Sequence, residues 1–270
     1  MKRVLPVVVL ALLLAFALFP FLWAVAASLR PEAELFRGPS LLPERLTAEH
    51  YAALFEERDF WVPIRNSLVV AGTTTLFCVI VGSLAAYALA RLEMRGKSAI
   101  LGLILAVSMF PQISIVSPLF LLLRSLGLID TYPGLILPYL TFAMPLTVWL
   151  LVGYFRQIPA DLEEAARVDG ATRWQVFTRV VLPLAVPGLA ATGILTFLYC
   201  WNEFLFALSF TLGPERQTVP VAIALFRGQY QVPWGQILAA SVVATAPVAF
   251  LVLLFQRRIV QGLTAGALKG

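Results

Sequence analysis

The chain has 270 residues, of which 60% are hydrophobic and 13% charged, with a mean hydropathy of +0.87. Soluble proteins average roughly 45–50% apolar and about 25% charged residues, so a soluble globule is excluded. The net charge of +5 does not indicate nucleic acid, because the bases are scattered through short segments between apolar runs.

In chain order, apolar stretches predict six membrane spans, at about 4–28, 64–90, 98–123, 134–155, 184–211 and 236–255. Each approximates the roughly 20 residues that cross a bilayer. Lys2 and Arg3 before an apolar run, followed by Ala24, Val25 and Ala26, resemble a signal peptide. That run exceeds the usual h-region of about 7–15 residues, so a retained helix is expected. His50, in the acidic segment between Arg30 and Pro63, has no nearby Cys or second His and is expected to be a solvated surface residue. In the second span Gly82, Ala86 and Ala90 recur every fourth residue, a pattern that lets helix backbones approach closely. Pro111, Pro118, Pro138, Pro145, Pro187 and Pro247 predict kinks within the spans. Cys78 and Cys200 lie in apolar segments and are expected to pack rather than to bridge or bind zinc.

Twelve of the twenty Lys and Arg residues fall at the termini and in alternate loops, which gives that side a net +7 and the other −1. By the positive-inside rule both termini are expected to be cytoplasmic. The longest cytoplasmic loop then runs over 158–183 and reads as two short helices. Asp161 with Glu164, and Thr172 with Gln175, have capping-box spacing. Gly170 stands where a left-handed residue can end the first helix. Leu162, Ala165, Ala166 and Val168 give the first helix a small apolar face, and Trp174, Phe177 and Val181 give the second a bulkier one. Such a face either packs on the protein's own spans, lies in lipid headgroups, or docks another protein.

Glu164-Ala165-Ala166, three residues, Gly170, nine residues, Val180, one residue, Leu182-Pro183 resembles the EAA loop of permease subunits of bacterial ABC importers, with Val at the usual Ile position. The tail from Gln261 to Gly270 and the stretch Trp201-Asn202-Glu203-Phe204 resemble the MalG-like carbohydrate-uptake group of the binding-protein-dependent transport permeases. The resemblance implies an all-α integral membrane protein with six transmembrane helices, the type I ABC importer permease fold and a cytoplasmic coupling helix. One permease domain would span 1–270, multi-pass in the cytoplasmic (inner) membrane, with a cytoplasmic tail at 256–270.

It further implies that Glu163, Glu164, Ala165, Ala166, Asp169, Gly170, Ala171 and Trp174 couple to the ATPase. Gln261, Gly262, Thr264, Gly266 and Lys269 would carry a tail contact with it. The implied partners are a second, MalF-like permease, a dimer of ABC ATPase subunits, an extracytoplasmic sugar-binding protein, a carbohydrate substrate and membrane lipid, without nucleic acid.

The sequence has no Gly-x-x-x-x-Gly-Lys-Ser/Thr loop, which is the nucleotide-phosphate signature. A transport subunit rather than an enzyme is expected, with no cofactor of its own and with ATP and Mg used by the partner ATPase. Glu203 is an ionisable residue in a span, a costly placement that points to a cavity or a polar partner. With Trp201, Asn202 and Phe204 it is a candidate for substrate contact or gating, and an interhelical polar bond is the other reading. Gln112, Ser114 and Ser117 are weaker pathway candidates, and Tyr132, Tyr139 and Trp149 are expected to be anchors or packing residues. Other solutes (polyamine, phosphate or glycerol phosphate) remain alternatives, as does a secondary transporter.

Overall fold

The computed structural model describes residues 4–36, 45–226 and 232–267, with side chains placed for 5–36, 45–226 and 232–256. Among the described residues all regular structure is helical. The long helices are α1 (Val4–Ser28), α4 (Trp61–Arg91), α7 (Tyr132–Phe155), α10 (Leu182–Trp201) and α13 (Trp234–Ala267). Shorter ones are α2 (Glu32–Leu35), α3 (Glu49–Glu56), α5 (Lys97–Ser108), α6 (Gln112–Ser125), α8 (Asp161–Val168), α9 (Arg173–Val176), α11 (Leu205–Phe210) and α12 (Val219–Ala224). A π-helical turn, Phe177–Val181, joins α9 to α10.

Five helices are long and apolar enough to cross a membrane, and a bent pair makes a sixth. That pair covers the span predicted at 98–123 and is bent more sharply than a prolyl kink, since α5 and α6 meet at 87° across Met109–Pro111. Pro111, with extended ψ of 116°, precedes α6 and lacks the N–H that would continue α5. The predicted stretch 184–211 is likewise interrupted, with α10 ending at Trp201 and α11 starting at Leu205.

The centre of the bundle is α4 packed along α7 and α10. Small residues permit this. A Cβ on Gly82 of α4 would come within 3.2 Å of the Thr147 methyl on α7. Thr147 also shares a 2.8 Å hydroxyl bond with Thr196 of α10. With one proton each, one hydroxyl donates to the other and the second donates to the carbonyl one turn back on its own helix, Ala143 or Thr192, so neither is left unpaired in an apolar setting.

Two buried clusters fill the ends. One, with Leu54, Phe60, Tyr139, Phe197, Trp201, Phe206 and Phe210, lies toward α3 and α12. The other, with Ala86, Leu151, Phe155, Val176, Phe177 and Val181, lies beneath α8 and α9.

At the α3 end His50 is buried, which corrects its expected solvent exposure. Its ring N–H donates to the Arg30 carbonyl at 2.7 Å, and the ring lies against Gly235, where a Cβ would collide with it. Glu32 accepts the N–H groups of Trp234 and Gly235, both at 3.1 Å, so the segment after α1 is tied to the start of α13.

Candidate coupling site

The segment 158–181 forms a helix pair at the opposite end of the bundle. Thr172 and Gln175 make the expected capping box at the start of α9. Asp161 and Glu164 do not make theirs. Ala160 precedes α8 without a side-chain bond, because the acids already lie inside the first turn, where they face the positive end of the helix dipole. Between the helices Gly170 adopts φ +88°. Its N–H bonds to the Arg167 carbonyl at 3.0 Å and the N–H of Ala171 to that of Ala166 at 2.9 Å, the paired bonds of a Schellman turn. Asp169 is the last residue before that turn.

The pair has an inner and an outer surface. Inward, Val176, Phe177 and Val181 are buried against α4 and α7. Outward, Leu162 (44% exposed), Val168 (87%) and Trp174 (63%) stand in the open, Trp174 with its ring 5.7 Å from that of Phe177. Glu164, Ala165 and Asp169 share the exposure, while Ala166 and Ala171 are half-buried. Glu164 is held only loosely, 3.9 Å from Arg167.

Glu163 departs from its expected place in the docking surface. It is buried, with one carboxylate oxygen 2.5 Å from Arg91 Nε and the other accepting from the Tyr87 hydroxyl at 3.0 Å. Helical geometry explains this, since Glu163 and, three residues on, the half-buried Ala166 mark the face of α8 turned toward the bundle, and Glu164, about 100° further round, falls outside it. Arg91 and Tyr87 were not singled out from the sequence. The only available signal is their i, i+4 spacing at the end of a span, which an acid some seventy residues later can satisfy.

The tail candidates Gln261, Gly262, Thr264 and Gly266 fall in the last part of α13, where side chains lie outside the described residues, and Lys269 lies outside them altogether.

The Trp201–Phe204 group sits at the break after α10. Trp201 is buried and stacked on Phe197 at 5.5 Å, and Glu203 is 8% exposed. Both carboxylate oxygens of Glu203 are occupied, accepting the N–H groups of Phe206 (2.8 Å) and Ala207 (3.1 Å) in the first turn of α11. Both residues are therefore turned into the protein, and of the two readings of Glu203 this arrangement favours a polar bond within the bundle over substrate contact. Asn202 and Phe204 are exposed at the break. Gln112, just past the other break, donates to the Tyr199 hydroxyl at 2.6 Å and links the two interruptions. Ser114 and Ser117 are exposed on α6. Tyr139 is buried, Tyr132 bonds to Asn66, and Trp149 stays half-exposed.

Comparison with known proteins agrees with this geometry. The family model described as "Binding-protein-dependent transport system inner membrane component" matches residues 78–265. The chain is 48% identical to the trehalose transport system permease protein SugB of Mycobacterium tuberculosis, over 96% of this chain and 95% of that one. It is 44% identical to the trehalose/maltose transport system permease protein MalG of Thermococcus litoralis, over 100% and 98%. Among solved structures, a bacterial ABC transporter that imports the acidic polysaccharide alginate superposes with a TM-score of 0.79 at 24% identity, over 94% of this chain and 95% of that one. With the family model covering the stretch that contains the capped helix pair, the chain belongs to the inner-membrane permease components of binding-protein-dependent transport systems.

Proposed function

We propose that the chain forms half of the translocation pathway of an ATP-driven carbohydrate importer, receives sugar from an extracytoplasmic binding protein, and pairs with a second, MalF-like permease. Relatives named for trehalose, maltose and sulfoquinovosyl glycerol support a sugar over polyamine, phosphate or glycerol phosphate. Trehalose and maltose are the first solutes to assay. Both termini and the 158–183 loop face the cytoplasm, a reading supported by the Lys and Arg bias.

The observation that carries the mechanism is the exposed apolar surface of Leu162, Val168 and Trp174 on a capped, sharply turned helix pair. Exposed apolar groups beyond the bilayer gain by docking into a complementary cleft. We assign that cleft to a dimer of ABC ATPase subunits, which bind ATP and Mg. Ala165 and Ala166 keep α8 slim enough to enter it, Glu164 offers a charge at its edge, and Gly170 and Asp169 shape the turn. The tail residues 261–269 are assigned a second contact. ATP-driven closure moves the helix pair, and the bundle responds at its two broken spans. There the exposed Asn202 and Phe204 stand at a gate, beside the Gln112–Tyr199 bond.

Affinity purification from native membranes tests this reading. The unmodified chain is expected to bring down a second permease and an ATPase. Gly170→Pro is expected to lose the ATPase, since proline cannot adopt φ +88° and has no N–H for Arg167. A chain that purifies alone and carries trehalose without ATP would make a secondary transporter the working reading.

A further inference from the structure

We propose that Arg91 is the joint through which displacement of α8 reaches the membrane bundle, with Tyr87 holding it in place. This rests on the assignment of the 158–183 loop to ATPase docking. Within α8, Glu163 is the one buried residue, and both of its carboxylate oxygens are held by α4, one by Arg91 and the other by Tyr87. The same guanidinium also donates through Nη2 to the Ile158 carbonyl, at the exit from α7. One side chain therefore grips the entrance of the loop and the first turn of α8 together.

Tyr87 lies one turn before Arg91. Its ring packs edge-on against Phe155 at 6.3 Å and against Phe177 at 4.9 Å, so it touches the end of α7 and the π-helical turn that leads to α10. The joint thus gathers the three helices that form the centre of the bundle.

Its chemistry suits transmission better than docking. Arg91 and Glu163 side chains are only 15% and 8% exposed, so neither faces a partner. A buried pair resists separation because parting it strands a charge away from water. The guanidinium's fixed fork serves two acceptors at once, which a lysine cannot reproduce. Without this joint α8 meets the bundle through the apolar contact of half-buried Ala166 with the cluster around Val176, Phe177 and Val181, and through the chain on either side, at Ile158–Ala160 and the Gly170 turn. Docking would persist, and its motion would dissipate in those links. Arg91 is accordingly a positioning residue that couples one site to another.

The test uses the assembled transporter in nanodiscs, with a Leu212→Cys reporter in the exposed loop after α11, beyond the break, and this chain's two native thiols buried. The rate of reaction with a hydrophilic maleimide is measured without nucleotide and after trapping with MgATP and vanadate. The reference transporter is expected to retain ATPase and to change its labelling rate by roughly tenfold, within the range typical of coupled sites. Arg91→Gln is expected to retain the ATPase yet reduce that change to less than about twofold, with Arg91→Lys and Tyr87→Phe intermediate.

An undiminished response in Arg91→Gln overturns the proposal. So does loss of the ATPase from that variant, which would make Arg91 a support of the docking surface alone. Should Arg91→Gln not reach the membrane, full responses in both Arg91→Lys and Tyr87→Phe overturn it equally. A reference transporter that brings down no ATPase defeats the docking assignment itself, and the joint with it.

Discussion

Asn66 shows how much of the α3 end depends on single side chains. It is fully buried near the start of α4, and its amide donates to the carbonyls of Glu215 and Gln217, each at 2.9 Å. Its oxygen accepts from the Tyr132 hydroxyl at 2.7 Å, and next to it the Ser67 hydroxyl accepts from Val219 N–H at 2.8 Å. Asn66→Leu keeps the branched shape of the side chain but removes three hydrogen bonds, a loss of about 3 kcal/mol at about 1 kcal/mol for each bond. The expected outcome is a lower unfolding temperature of the detergent-solubilised protein and faster tryptic cleavage after Arg216, which otherwise lies over the Tyr132 ring at 4.6 Å. Unchanged cleavage would mean that the loop is held by other contacts. None of this is legible in the sequence, because Asn66 lies 66 positions from Tyr132 and 149 and 151 from its two carbonyl partners. His50 was misread for the same reason, since its environment comes from Arg30 and Gly235 on other elements.

Among the elements, the capped turn between α8 and α9 was readable because its signals are local. Thr172, Gln175 and Gly170 act within a few residues of one another. Thr172→Ala removes the acceptor for Gln175 N–H, with an expected loss of about 1 kcal/mol. Weaker ATPase retention on salt washing is the measurement, and Thr172→Ser is expected to restore it. The broken spans were not readable. Hydropathy runs on through Met109, Phe110 and Pro111, and a prolyl kink within a span looks the same in sequence as a break of 87°. Pro111→Ala frees the backbone to continue the helix. Spin labels at Lys97 and Arg124 are expected to move from about 28 Å apart toward about 40 Å at 1.5 Å rise per residue. A distance that stays at the short value would show that the α6 contacts with α11, rather than the proline, fix the bend.

At the scale of the whole molecule, the ends of the bundle differ in construction, and this difference sets what each can do. The α3 end is closed by side-chain ties to backbone, from His50, Glu32, Asn66, Ser67 and Asp130, which fasten loops from distant parts of the chain. Among the described residues the opposite end has a single buried ion pair, beneath a helix pair with an exposed apolar face. Along the sides, α1 packs on α13 and otherwise exposes Leu and Phe along its length, a surface suited to acyl chains or to another apolar helix. In the proposed orientation, drawn from the charge bias, the helix-pair end faces the cytoplasm, where ATP is available. Two exposed positions put that assignment at risk: Val168 beyond α8 and Leu212 in the loop after α11. In intact cells a membrane-impermeant maleimide is expected to label Leu212→Cys directly and Val168→Cys only after permeabilisation. The reverse pattern would place the helix pair outside, out of reach of any ATPase, and would remove the physical basis for reading it as a coupling device.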